Sequence, residues 1–217
     1  MGASKPPLQA GLSRGDPAPA AIRLVAVDLD GTLLNDSKHI SANTAGALEC
    51  LREKEIKIVI ASARPPRSVQ NFYHTLGLDT LQINYNGALI WDEPNRRPIF
   101  HRPLSSRLIR RIIETARDMF EETLVHCEIL DRWYTDRPDD PAHTTETARL
   151  FPPDVICTAD ELCAQPVTKL MLLGEPRIIL RLEDVLSEAF ENEVTILKTD
   201  RDLLQITHPE GGKAAAE

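Results

Sequence analysis

The sequence lacks the patterns that mark several common classes of protein. Its four cysteines, Cys50, Cys127, Cys157 and Cys163, contain no C-x-x-C pair, and its six histidines form no H-x-x-x-H or Cys/His cluster. A structural zinc site is therefore not expected, and the thiols read as reduced, mostly core-filling side chains. There is no basic excess: 33 acidic residues outnumber 25 basic ones, for a net charge of -8. That balance repels nucleic acid and anionic membrane over the whole surface. No apolar run approaches the ~18 residues of a membrane span, and the N-terminus lacks the charged-then-apolar layout of a signal peptide. These absences lead us to expect a cytoplasmic protein that acts on small solutes, with neither nucleic acid nor membrane as partner.

What is present suits a folded chain. Of 217 residues, 42% are hydrophobic, enough for a real core and for either one large domain or a small one carrying an inserted module. Residues 1–20, with four prolines and no apolar period, read as a disordered leader. The run IRLVAVDLD at 22–30 then reads as a buried parallel strand whose C-terminal end opens on a site. Ser41 is placed to cap a helix with Ala45, Leu48 and Leu51 at helical spacing. IKIVIAS at 56–62 is a second buried strand, a helix is expected over 69–76, and LQINYNGALI at 81–90 reads as a third, short strand. This order predicts a right-handed, doubly wound α/β sheet.

The texture changes near residue 87. Strands ALIW, PIFH, TLVHCEIL, RWYTD, VTKLMLL, VTILK and LLQIT alternate with helices at 105–121 and 176–190, which predicts a separate α+β module over 87–207 inserted into the core. Within it, RPDDPAHTTETA at 137–148 has the polarity and prolines of a mobile loop. Arg107, Arg110 and Arg111 share one face of the first of these helices and read as a solvated face paired with Glu114 and Asp118.

The chemistry is concentrated in DLDGTLL at 28–34. Alternation puts Asp28 and Asp30 on one side of the strand end with Leu29 turned away, at the edge where open α/β sheets place their ligands. Gly31 permits a sharp turn and Thr32 a stabilising hydrogen bond. Turn formation accounts for Asp30 and Gly31 but not for Asp28, a carboxylate inside an apolar strand, where leaving it unpaired costs several kcal/mol.

On these residues the sequence resembles the haloacid dehalogenase superfamily of phosphohydrolases, whose first motif is D-x-D-G-T. IASAR matches the second motif, with Ser62 as the phosphate-binding hydroxyl and Ala63 where the family usually has Gly. INYNGALIWD, with Asn86, resembles the entry to the α+β cap of the Cof-like (type IIB) branch. LLQITHPEGGKAAAE resembles the return to the core at 208–217, with Lys213 as the third-motif lysine. The fourth-motif acidic loop has no counterpart before Glu217, so the core is expected to be incomplete.

The resemblance implies a Rossmann-like parallel core (21–86) with an inserted cap, and a Mg²⁺-dependent phosphatase of a small phosphorylated metabolite, a sugar phosphate or phosphorylated cofactor. It implies that Asp28 forms an aspartyl-phosphate while Asp30 protonates the leaving oxygen and then activates water. Mg²⁺ would lie on Asp28 and the Asp30 carbonyl. Ser62, Lys213 and the N–H groups near Leu29 and Ala63 would hold phosphate oxygens. Acid work further leads us to expect a proton on Asp30 near neutral pH. The other reading left open by the missing loop is a non-catalytic phosphate-binding fragment that needs a partner or a further segment.

Overall fold

The computed structural model describes residues 22–137 and 152–210. The leader, nearly all of the 137–148 stretch and Lys213 lie outside the described residues. Two sheets organise the rest.

The first sheet begins with β1 (Leu24–Asp28), β2 (Lys57–Ala61) and β3 (Gln82–Asn84), parallel and in the order β1-β2-β3. Helices α1 (Ala42–Glu53) and α2 (Pro66–Thr75) supply the crossovers. Ser41 caps α1 as expected, its side chain accepting from the Thr44 N–H at 3.1 Å. Leu29, Leu33, Leu48, Ile58, Ile60, Val69 and Tyr73 form the core between these helices and the sheet.

The third strand departs from expectation. LQINYNGALI is two strands, because Tyr85, Asn86 and Gly87 all take positive φ (51°, 56° and 98°) and reverse the chain in a 3-10 turn. Gly87 meets that requirement without strain, whereas the two residues before it must be held by their surroundings. The chain returns as β4 (Leu89–Asp92), antiparallel to β3, and pairs with β5 (Arg97–His101). ALIW and PIFH thus extend the first sheet and do not join the second, since a tight reversal after β3 leaves its neighbour no other edge to pair with.

The second sheet comprises β6 (Leu124–Ile129), β7 (Arg132–Thr135), β8 (Val155–Ile156), β9 (Lys169–Leu173), β10 (Thr195–Asp200) and β11 (Leu203–Thr207), in the order β10-β11-β9-β6-β7-β8. Helices α3 (Ser106–Met119), α4 (Ala159–Cys163) and α5 (Pro176–Ala189) accompany it. Ile109, Ile112 and Ala116 of α3 and Ile179, Leu182 and Leu186 of α5 pack on Val125, Cys127, Leu170, Leu172, Leu204 and Ile206. Strand alternation leaves His126, Glu128, Lys169 and Met171 on the other face. Of the α3 arginines, Arg110 lies 4.0 Å from Glu114, as expected, and also reaches Asp160 at 2.6 Å, while Arg111 reaches Glu193 at 2.9 Å. Among the described residues, no helix is long and apolar enough to cross a membrane.

Candidate active site

Parallel register brings the chemistry-bearing residues to one edge. Asp28 of β1 lies opposite Ala61 of β2, and Ala61 opposite Ile83 of β3. The residues that follow, Leu29 and Asp30, Ser62 and Ala63, Asn84 and Asn86, therefore emerge side by side at the carboxyl ends of the strands, the ligand-binding edge of an open α/β sheet. The Asn86 N–H donates to the Ser62 carbonyl at 3.1 Å, joining two of these loops directly.

Leu29 is fully buried, and its N–H donates to Asp28 Oδ1 at 2.9 Å. This bond fixes the orientation of the Asp28 carboxylate at the strand end. Gly31 sits at φ 75°, a turn conformation open to glycine. The Thr32 main-chain N–H closes that turn onto the Leu29 carbonyl at 3.4 Å. Ser62 is 1% exposed and its Oγ accepts from the Arg64 N–H at 3.2 Å, so its own proton remains available to donate.

Asp30 is held by cations. Arg64 grips it with two prongs, Nε to Oδ2 and Nη2 to Oδ1, both at 2.8 Å, and Lys38 Nζ donates to Oδ1 at 2.8 Å. The Arg64 hydrogen bonds, opposed by partial burial and reinforced by Lys38, lower the Asp30 pKa from 3.8 to about 2. The expectation of a proton on Asp30 is thus reversed in this structure, because two charge-assisted donors stabilise the ionised form more than burial opposes it. Arg64 is itself aimed by its backbone: its N–H is taken by Ser62, and its carbonyl accepts from Asn84 Nδ2 at 3.2 Å.

Residues 25–216 match the family model described as haloacid dehalogenase-like hydrolase. The chain belongs to the haloacid dehalogenase-like hydrolases. It is similar to the 5-amino-6-(5-phospho-D-ribitylamino)uracil phosphatase YitU of Bacillus subtilis, 30% identical over 112 residues, which is 51% of this chain and 41% of YitU. It is also similar to phosphatase YwpJ of the same organism, 36% identical over 75 residues, covering 35% of this chain and 26% of YwpJ. The matched stretches span less than half of either relative. The crystal structure of TM0651 from Thermotoga maritima superposes with a TM-score of 0.76 at 25% identity, over 90% of this chain and 73% of that one.

In this member of the family, Arg64, Lys38 and Asn84 were not among the residues singled out from the sequence. A signal for two of them was present: Asn84 ends β3 at the edge where Asp28 and Ser62 end theirs, and Arg64 lies two residues past Ser62. Lys38 carries no such mark, because only the folding of the 30–40 loop brings it to Asp30.

The donor chemistry fits Mg²⁺. The Asp28 carboxylate and the Asp30 carbonyl are hard oxygen donors, and Mg²⁺ in phosphoryl-transfer sites takes one or two carboxylates, with waters and substrate oxygens completing its shell. With both Asp30 side-chain oxygens engaged by Arg64 and Lys38, its main-chain oxygen is the suitable donor. Among the described residues, no group of three or more acidic, His or Cys side chains gathers into a ready-made metal cluster.

Proposed function

We propose that the protein is a Mg²⁺-dependent phosphatase of a small phosphorylated metabolite, a sugar phosphate or phosphorylated cofactor, acting through an aspartyl-phosphate on Asp28. The observation that carries this reading is the convergence of Asp28, Asp30, Ser62 and Asn86 at one sheet edge, in a chain of a hydrolase family whose matched relatives are phosphatases. We assign β1–β5 with α1 and α2 to the catalytic core and β6–β11 with α3–α5 to the cap that selects the substrate. A cytoplasmic setting goes with such a substrate.

In this mechanism an Asp28 carboxylate oxygen attacks phosphorus, the P–O bond to the leaving group breaks, and the leaving oxygen takes a proton from Asp30. Water then attacks the phosphoryl group and gives its proton to Asp30, releasing inorganic phosphate and restoring Asp28. Splitting one difficult displacement into two is the gain from the covalent step. Ser62 O–H and the N–H of Ala63 orient phosphate oxygens, and Lys213 is assigned to neutralise charge beside Asp28. Bound Mg²⁺ would supply charge neutralisation between Asp28 and the phosphate. In the free site Arg64 and Lys38 keep Asp30 ionised and a weak base. A bound phosphate dianion would compete for those two cations, and Asp30 would then be able to carry the proton that both halves require.

The test is release of phosphate from 4-nitrophenyl phosphate by the purified chain with Mg²⁺. Asp28→Asn should reduce turnover by roughly 10³-fold or more, and Asp30→Asn by roughly 10²–10⁴-fold. Undiminished turnover in Asp28→Asn would overturn the covalent mechanism.

A further inference from the structure

A second charged cluster lies behind the site loops, between the two sheets, and the mechanism above does not use it. Arg67 Nη2 donates to Glu128 Oε1 of β6 at 2.7 Å, with the two side chains only 11% and 3% exposed. Tyr85, fully buried in the 3-10 turn, donates its one hydroxyl proton to the Leu130 carbonyl at 2.7 Å, with Glu128 Oε2 sharing it at the longer distance of 3.3 Å. Burial and the nearby Glu128 push the Tyr85 pKa well above its ordinary value, so the hydroxyl keeps its proton and remains a donor. Lys169 Nζ of β9 lies 5.2 Å from the centre of the Tyr85 ring. Asp131, in the β6–β7 turn, accepts the Arg67 N–H at 2.7 Å and Arg96 Nη2 at 2.9 Å.

The Asp131 bond is a helix cap supplied from the other sheet. Helix α2 starts Pro65-Pro66, and Pro65 makes no side-chain cap bond. Because proline has no N–H, that of Arg67 is the first the helix must satisfy, and the acceptor comes from the β6–β7 turn. One residue thus contributes both its main chain and its side chain to the second sheet.

Position makes this consequential. Arg67 is five residues past Ser62, in the first turn of α2 where the loop after β2 ends, and Tyr85 precedes Asn86 on the turn that follows β3. The cluster therefore grips, from behind, the two loops that form the site. A buried ion pair adds little net stability against an apolar pair of equal volume, but it tolerates only one geometry. Its best-attested use is to set register.

We propose that Arg67, Glu128, Tyr85 and Asp131 form a polar latch that sets how the second sheet sits over the loops bearing Ser62 and Asn86, with Arg67 as the positioning residue for those loops. The latch is independent of turnover, so its test is amide hydrogen exchange of the full chain read by mass spectrometry. Two variants are compared with wild type: Asp131→Ala, and the double variant Arg67→Met/Glu128→Met, which removes both partners of the buried ion pair together and does not strand one of them. In both, exchange over residues 66–69 and 84–88 should rise about tenfold, equivalent to ~1.4 kcal/mol, while β9 and β11 keep their wild-type rates. Arg67→Lys, which keeps the main-chain bond and one charge, should fall between. Rates within about twofold of wild type in the double variant would overturn the latch, and so would an equal rise in β9 and β11, which would reveal general loosening of the fold.

Discussion

Strands of the same apolar texture fare differently in the two sheets. In β9, KLMLL, all five residues are buried, and in β1, LVAVD, none is. The central strand β9 has hydrogen-bonded neighbours on both sides, β11 and β6, while β1 pairs only with β2 among the described residues. An apolar run therefore predicts a strand, but its burial is decided by what flanks it. The second sheet, with a twenty-residue buried cluster, carries most of the packing. The first carries the proposed active site on a lighter frame.

The largest expected effect tests this contrast directly. Leu172→Ala, at a fully buried position of β9, should destabilise the protein by about 2–5 kcal/mol. Val27→Ala, at a half-buried position of β1, should cost about 1 kcal/mol. Urea denaturation measures both, and equal costs would break the comparison.

Acid should next separate the sheets. Burial of His126 on the second sheet lowers its pKa from 6.5 to about 4. Between those values the unfolded chain takes up a proton that the folded chain refuses, so stability falls as pH drops from about 6.5 towards 4 and levels off below. The whole contribution is about 3 kcal/mol, and His126→Gln should flatten that window. Asp30 on the first sheet acts lower: its depressed pKa supports the fold above 3.8, and that support is lost as pH falls from 3.8 to about 2.

The smallest effect concerns the exposed ion pair at the site. Lys38 and Asp30 are 52% and 41% exposed at their side chains, so Lys38→Ala should change stability by no more than about 1 kcal/mol. The sheltered Arg67–Glu128 pair behaves differently: deleting one partner alone should cost about 3–5 kcal/mol. A double-mutant cycle on each pair sharpens the comparison.

Much of the architecture was legible because its signals are local. The Ser41 cap, the strands at 24–28 and 57–61 and the helices over 106–119 and 176–189 follow from caps and apolar periods in short windows. One such signal was overlooked: Thr158 and Glu161 form a capping box that starts α4. The reversal at 85–87 was harder to read. Asn-Gly marks a turn, but that Tyr85 also adopts positive φ depends on its burial against Glu128 and Leu130.

From sequence alone came the family resemblance and the DLDGT strand end, because spacing within one strand fixes which residues share its edge. Which sheet β4 and β5 join, which cations hold Asp30 and which acid caps α2 were decided by tertiary structure. Each of these depends on residues far apart in the chain: Arg64 reaches Asp30 across 34 positions and Asp131 reaches Arg67 across 64. Protonation at the site is set by charges within hydrogen-bond reach, and only the folded chain determines which charges those are.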